Sequence, residues 1–162
     1  MEYRNLGENG VKVSPICLGS MMFGDRTDEA EAARIVAHAK AAGVNFIDTA
    51  NAYAKGESER IVGRLVAPDR DHWVVATKVA NPMGPGPNDR GLSRGHLQRE
   101  LDSSLDRLGL DHVDIYYLHK DDGATPLAET LRTLDEFLAE GTIRHYALSN
   151  FRAWRIAEVI RL

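Results

Sequence analysis

The chain has 162 residues, of which 43% are hydrophobic and 27% are charged, and this composition is typical of a folded globular domain. The net charge of −4 gives no support for nucleic-acid binding, which needs a basic face. No stretch approaches the roughly 18 apolar residues of a membrane span, and the start lacks the apolar run of a signal peptide. We therefore expect one domain, residues 1–162, without a nucleic-acid or membrane partner.

Cys17 is the only cysteine, so a disulfide within the chain is impossible. This favours a reducing compartment, and we expect the protein to be cytoplasmic. Because Cys17 lies between Ile16 and Leu18, we expect it to be a small core residue rather than a reactive thiol.

Strand patterns recur along the chain. Near the start, Tyr3–Leu6 and Val11–Ser14 flank the turn sequence Gly7-Glu8-Asn9-Gly10, and this predicts a small hairpin. Five short apolar runs then predict buried strands at Ile16–Gly19, Asn45–Asp48, Trp73–Lys78, Val113–His119 and Ile143–Asn150.

The segments between these strands have helical spacing. Helices are predicted over Asp28–Ala42, with Ala30, Ala33, Val36 and Ala37 on the buried side, over Glu59–Val66, and over Phe151–Leu162. Two leucine stripes predict two more, at Leu97, Leu101, Leu105 and Leu108, and at Leu127, Leu131, Leu134 and Leu138.

Residues at the helix ends agree with these boundaries. Ser93 is a candidate N-cap, and Thr125 is another, with Pro126 in the first helical position. Three glycines, Gly43, Gly109 and Gly141, follow predicted helix ends, where a left-handed residue is favoured.

Alternating strands and helices predict an α/β fold in which helices cover a parallel sheet. Two architectures fit this order: an open doubly wound sheet and a (β/α)8 TIM barrel. The glycine-rich fingerprint G-x-G-x-x-G of a dinucleotide-binding doubly wound sheet is absent, and so is a phosphate-binding P-loop.

Four consecutive strands end in a polar or ionisable residue: Asp48, Lys78, His119 and, after Ser149, Asn150. Each has an ordinary alternative: the acid can form a turn, the lysine can be solvated, the imidazole can be a core residue, and the asparagine can cap a helix. However, a barrel builds its active site from the carboxyl ends of several strands. Together the four residues therefore predict one site at one edge of the sheet.

Tyr53 follows Asp48 closely enough to reach over this edge. A lysine cation beside a tyrosine favours loss of the phenolic proton, so Lys78 would make Tyr53 a better proton donor. Asp48 would hold Lys78, and His119 would donate a hydrogen bond to an oxygen that gains negative charge. Neither a nucleophile–base pair nor a histidine spacing typical of a metal site is present, so we predict no metal.

These segments together resemble the aldo-keto reductase superfamily. The resemblance runs through the whole chain and rests on the stretches ENGVKVSPICLGSMMFG, GVNFIDTANAYAKGESERIVG, VVATKV, LDSSLDRLGLDHVDIYYLH and GTIRHYALSNF.

The resemblance implies reduction of an aldehyde or ketone by NADPH, with Tyr53 as proton donor. The implied catalytic residues are Asp48, Tyr53, Lys78 and His119. The implied cofactor-binding residues are Gly19, Ser20, Met21, Asp48, Ser149 and Asn150. The loop 81–91, rich in glycine and proline, lies on the same side and either contacts the substrate or is a plain solvent loop.

The family barrel has eight strands, whereas this chain provides the N-terminal hairpin and about five βα units, with strands six to eight absent. The residues for the adenine and 2′-phosphate would lie in the absent part. We expect a C-terminal fragment as partner, or self-association through the open sheet edges with impaired catalysis. A regulatory subunit that senses the redox state of the nicotinamide is the functional alternative.

Overall fold

The computed structural model describes residues 1–162. The seven strands are β1 (Arg4–Asn5), β2 (Lys12–Val13), β3 (Leu18–Gly19), β4 (Phe46–Asp48), β5 (Val74–Val79), β6 (Val113–Leu118) and β7 (Ile143–Leu148). The five helices are α1 (Glu29–Ala41), α2 (Glu57–Val66), α3 (Arg94–Leu108), α4 (Leu127–Glu140) and α5 (Ala153–Arg161). Two 3₁₀ segments cover Tyr53–Gly56 and Ala67–His72. None of the helices has the length and apolar character that crossing a bilayer would require.

The strand order distinguishes between the two expected architectures. Strands β1 and β2 form the predicted antiparallel hairpin, and the other five form a parallel sheet in the order β3-β4-β5-β6-β7. A doubly wound sheet reverses its strand order at a switch point, whereas here every strand lies beside its predecessor in the chain. The sheet is therefore singly wound, as in a barrel.

The two faces of the sheet are covered differently. The helices cover the outer face, where a cluster of 23 buried residues includes Val75, Tyr116 and Phe137. On the other face, which we call the inner face, the hairpin covers a smaller cluster of Val13, Val74, Ala76 and Ile115. Because side chains alternate along a strand, Lys78 follows Val74 and Ala76 onto the inner face.

Helix α1 buries a different side from the one that the sequence suggested. Its buried residues are Ala32 and Val36, with Ile35 and Ala39 partly buried against the core. The assignment of Val36 to the buried side is confirmed, whereas Ala30 and Ala37 are exposed and Ala33 is only half-buried and outside the core cluster. Residues 32, 35, 36 and 39 form a stripe that contains the two largest apolar side chains of the helix, and burial of that stripe removes more apolar area from water.

Two predicted helix starts also differ in detail. Ser93 occupies the N-cap position of α3, but its side chain forms no capping hydrogen bond. The N-cap of α4 is Pro126 rather than Thr125, because the Thr125 hydroxyl donates to the Asp122 carboxylate at 2.6 Å. The predicted left-handed glycines are present at Gly43, Gly109 and Gly141.

The prediction that Cys17 is a core residue was wrong, because Cys17 is exposed. The predicted strand shrinks to Leu18–Gly19, and Ile16 is 60% exposed. Strand β3 is an edge strand with β4 as its only neighbour in the sheet, so the residues that precede it are covered from one side at most.

Helices α2 and α3 meet at Gly63. A Cβ atom added at this glycine would lie 2.0 Å from the backbone oxygen of Leu108, a distance that no side chain can adopt. Gly63 therefore sets how closely the two helices approach, and α2 follows directly on the segment that carries Tyr53.

Gly63→Ala should lower the free energy of unfolding by about 3 kcal/mol, because the backbone of α3 must move away from the added methyl group. Urea unfolding followed by circular dichroism measures the change. Gly95→Ala is the matched control in a helix where the added Cβ contacts only the end of Arg99, and it should leave stability unchanged or raise it by about 0.5 kcal/mol. Equal effects of the two substitutions would contradict the close contact.

Candidate active site

Lys78 is the cation at the centre of the site. Its side chain is only 8% exposed at the carboxyl end of β5. The ammonium group donates to both carboxylate oxygens of Asp48, with Oδ2 at 2.7 Å, and to the backbone oxygen of Thr49 at 2.8 Å. The predicted contact between Asp48 and Lys78 is thus present, because parallel pairing of β4 and β5 places Asp48 beside Ala76.

Tyr53 lies directly over this pair. The Lys78 ammonium donates to the Tyr53 hydroxyl oxygen at 3.2 Å and lies 4.7 Å from the centre of its ring. Since the hydroxyl oxygen accepts this bond, the phenolic hydrogen is available to another acceptor. The Tyr53 ring also contacts the His119 ring edge to face, with 5.7 Å between the centroids. Asp48, Tyr53, Lys78 and His119 therefore lie together at one end of the inner face.

His119 is held by a residue from the neighbouring loop. The amide nitrogen of Asn81 lies 3.2 Å from His119 Nδ1, so it donates to an unprotonated ring nitrogen. In a neutral imidazole the proton is then on Nε2, which can donate to a bound oxygen. Asn81 therefore fixes which nitrogen is the donor.

Burial shifts two of these groups in ways that matter for their chemistry. It lowers the pKa of His119 from 6.5 to about 4, helped by the charges of Lys78 and Lys120, so the imidazole is neutral at neutral pH. Burial also raises the pKa of the Asp48 carboxyl, while the hydrogen bonds and charge of Lys78 offset part of that effect. The ion pair thus compensates for part of the cost of placing a carboxylate here.

The backbone around the site is unusual. Four non-glycine residues have positive φ: Ala54 (46°), Lys55 (55°), Ala80 (139°) and Asn150 (56°). All four follow the carboxyl ends of β4, β5 and β7, which is the edge of the sheet that carries Lys78. Strained backbone of this kind persists where the surroundings enforce it, and it clusters at functional sites.

Most of the residues predicted to contact a cofactor lie at the rim of the sheet, but one of them is buried. Ser149 and Asn150 lie at the rim after β7, and Gly19 and Met21 are exposed near the end of β3. Ser20 differs from these because its side chain is fully buried and donates to the backbone oxygen of Asp48 at 2.9 Å. Its backbone N–H also donates to the Asp48 backbone oxygen at 2.9 Å and its carbonyl accepts from Phe23 and Ser58, so Ser20 supports the site from behind and offers no exposed atom to a bound molecule.

The chemistry of Ser149 and Asn150 fits a carboxamide. The Asn150 amide nitrogen donates to the backbone oxygen of His119 at 2.8 Å and to the Ser149 hydroxyl at 2.9 Å. This leaves the Asn150 oxygen as an acceptor and the Ser149 hydroxyl as a donor. A nicotinamide carboxamide needs one of each, so these two residues could hold that end of a nicotinamide cofactor.

Sequence reasoning missed two contributors, Asn81 and the backbone oxygen of Thr49. Asn81 comes three positions after Lys78, at the same edge of the sheet, and its position after a strand was the available signal. The Thr49 contribution comes from the main chain, for which the residue type gives no signal.

The chain has relatives among known proteins, and it spans about half the length of those it matches. The Aldo/keto reductase family model matches residues 15–161. A probable voltage-gated potassium channel subunit beta from Arabidopsis thaliana is 39% identical over 98% of this chain and 49% of the relative. The uncharacterized oxidoreductase YrpG from Bacillus subtilis is 40% identical over 98% of this chain and 52% of its own length.

A solved structure of an aldo-keto reductase has the same fold over nearly the whole of this chain. The aldo-keto reductase AKR11C1 from Bacillus halodurans, in its holo form, superposes with a TM-score of 0.90 at 34% identity, over 99% of this chain and 54% of that structure. The five parallel strands and their helices thus match the (β/α)8 barrel fold, of which this chain covers about half. With a family match over nearly its whole length, this chain belongs to the aldo/keto reductase family of oxidoreductases.

Proposed function

We propose that this chain carries the catalytic residues for NADPH-dependent reduction of an aldehyde or ketone to an alcohol, with Tyr53 as the proton donor. The observation that carries this proposal is the bond from the Lys78 ammonium to the Tyr53 hydroxyl oxygen at 3.2 Å. Lys78 is itself fixed by Asp48 and by the Thr49 carbonyl, so its charge stays in place as the tyrosine loses its proton.

When bound, the nicotinamide supplies a hydride to the carbonyl carbon. The residues of this chain bind and protonate the carbonyl oxygen, on which negative charge develops. His119 Nε2–H donates a hydrogen bond to that oxygen and helps to orient it. Tyr53 transfers its phenolic proton to the oxygen, and the neighbouring Lys78 charge stabilises the resulting phenolate. Asp48 keeps Lys78 in reach of the Tyr53 oxygen throughout.

Ser149 and Asn150 would bind the carboxamide of the cofactor, for the reasons of donor and acceptor chemistry given above. Gly19 and Met21 would lie along the opposite side of the rim. The single free cysteine suits a reducing compartment, and we place the reaction in the cytoplasm.

We further propose that three additional strand–helix units complete the barrel as a C-terminal segment or partner fragment. Strands β3 and β7 each have an open edge, and Trp154 and Ile160 of α5 are exposed together with Leu162, the residue after the helix. Self-association through these edges is the competing arrangement. Light scattering after gel filtration distinguishes the two, because self-association gives a multiple of the 17.9 kDa chain mass without any companion.

A second function is favoured by the 39% identity to probable potassium channel β subunits from Arabidopsis thaliana and Oryza sativa. In this alternative the chain belongs to a regulatory subunit that senses the redox state of a nicotinamide cofactor for a partner protein. A cofactor that remains bound through gel filtration, together with turnover far below the typical range of about 1–1,000 per second, would favour this role over catalysis.

Tyr53→Phe should lower the turnover number at least about 100-fold, because the proton donor is removed. The binding of NADPH should remain nearly unchanged, since the phenolic oxygen is not among the groups proposed to hold the carboxamide. The loss of NADPH absorbance with 4-nitrobenzaldehyde measures turnover, and fluorescence titration measures binding.

Tyr146→Phe provides the matched control, because Tyr146 packs against the core on the outer face of the sheet. It should retain the wild-type rate. Normal turnover by Tyr53→Phe would show that another group donates the proton.

The His119 ring should titrate with a pKa of about 4 in an NMR experiment on the folded protein. Because this value is below that of an unfolded histidine, the unfolded chain binds more protons between pH 4 and 6.5, and the contribution of His119 to stability is lost as the pH falls through that window.

Lys78→Met should raise the His119 pKa by removing a nearby positive charge, and Lys120→Met should raise it by a smaller amount. A wild-type value near 6.5 would contradict the neutral, hydrogen-bond-donating role given to His119.

A further inference from the structure

Behind the sheet, a group of charged side chains, one fully buried and two largely shielded from solvent, lies directly beneath the catalytic loop. Glu59 on α2 is fully buried. It accepts a hydrogen bond from the Thr77 hydroxyl at 2.5 Å and one from the Arg107 guanidinium at 2.6 Å. Arg107, on α3, also donates to Ser104 at 3.2 Å and lies 3.9 Å from the Glu100 carboxylate. We call Glu59, Arg107 and Glu100 the buried triad.

The buried triad reaches the start of the segment that carries Tyr53. The Glu100 carboxylate accepts a hydrogen bond from the Asn51 amide nitrogen at 2.9 Å. Asn51 is fully buried, and its backbone N–H donates to the backbone oxygen of Lys78 at 3.1 Å. Glu100 therefore fixes a residue that is tied to Lys78 on one side and is followed two positions later by Tyr53.

The same triad reaches the end of that segment. Ala54, Lys55 and Gly56 have consecutive positive φ values of 46°, 55° and 89°. Arg107 packs so closely under Gly56 that an added Cβ would lie 2.6 Å from its Cδ atom. Left-handed residues other than glycine cost on the order of 1–3 kcal/mol each and persist only when neighbouring contacts enforce them. Arg107 supplies such a contact at Gly56, the residue that directly follows Ala54 and Lys55.

Stability alone does not account for these charges. Burying ions is costly, and apolar side chains of similar size often stabilise a protein as well or better. The triad does what apolar side chains cannot do: directional bonds join Glu59 to Thr77, the neighbour of Lys78, and join Glu100 to Asn51 at the start of the turn that carries Tyr53. At the end of the turn, Arg107 contributes packing under Gly56.

We propose that Arg107, held by Glu59 and paired with Glu100, is a positioning residue that keeps the Tyr53 hydroxyl over the Lys78 ammonium. It touches neither substrate nor cofactor and acts through the turn at residues 51–56. This inference rests on the proposed role of Tyr53 as proton donor, but its primary test does not need turnover.

Backbone hydrogen exchange measured by NMR on the full chain is that test. The reporters are the amides of Asn51, Tyr53 and Lys55, which donate to Lys78, Ala50 and Ala52 respectively. In Arg107→Met, their protection should fall at least about tenfold more than that of amides in the centre of β6, because the turn opens locally while the sheet stays closed.

Arg107→Met leaves the buried Glu59 carboxylate without its cation, which could unfold the whole chain. A second variant controls for this effect. Glu59→Gln combined with Arg107→Met removes both charges and keeps an acceptor for Thr77, and it should show the same selective loss in the turn. Arg107→Lys should restore part of the protection.

Arg70→Met is the matched control. Arg70 forms a partly shielded ion pair with Asp114 at 2.7 Å, at the opposite end of the sheet from Lys78. In this variant, the protection of the turn amides should change only in proportion to that of the sheet amides. The positioning role is wrong if Arg107→Met and the double variant lower the protection of all amides in the same proportion, or if they leave the protection of the turn amides unchanged.

Turnover, where the wild type shows it, gives a second readout. Arg107→Met should lower the turnover number at least about tenfold without weakening NADPH binding, and it should cause no further loss in a Tyr53→Phe background, since coupled residues are not additive. A wild type without turnover but with the selective exchange pattern would overturn the proposed function and leave the positioning role intact.

Discussion

The Lys78 ammonium is the charge on which the arrangement of the site depends. A cation that is 8% exposed must replace its water with protein oxygens, and Lys78 finds them in Asp48, Thr49 and Tyr53. These oxygens come from β4 and the loop that follows it. The solvation needs of one buried cation therefore determine where β4 ends beside β5 and where the tyrosine lies.

The residues that could be predicted from the sequence are those for which a local pattern carries the information. Apolar runs that end in a polar residue located Asp48, Lys78 and His119, and parallel pairing then brought them to one edge. The patterns failed where tertiary contacts decide the outcome. Cys17 has the sequence surroundings of a core residue, but it precedes an edge strand and is exposed. The buried face of α1 follows Ala32, Ile35, Val36 and Ala39 rather than Ala30, Ala33 and Ala37.

The pairing of Glu59 with Arg107 was unpredictable for a related reason. The two residues are 48 positions apart on different helices, and each looks like an ordinary exposed charge in its own helix. Only the close approach of α2 and α3 at Gly63 buries them. The role of Asn81 likewise depends on the side chain of His119, 38 positions away. The spacing of apolar residues indicates which side of a helix or strand is buried. It does not indicate which polar groups on neighbouring elements form contacts.

The strictly consecutive strand order also bears on how the protein is made. Each strand of the sheet pairs with the strand that precedes it in the chain, so each new strand can pair as soon as it is present. Pairing between chain neighbours keeps the sequence separation of paired strands shorter than pairing across distant segments would, which lowers the contact order of the parallel sheet. Growth from the amino terminus can therefore proceed while the ribosome is still adding residues. The first four strands of the sheet bring in Asp48, Lys78 and His119 in the order of their synthesis, so the basis of the site can assemble before β7 is translated.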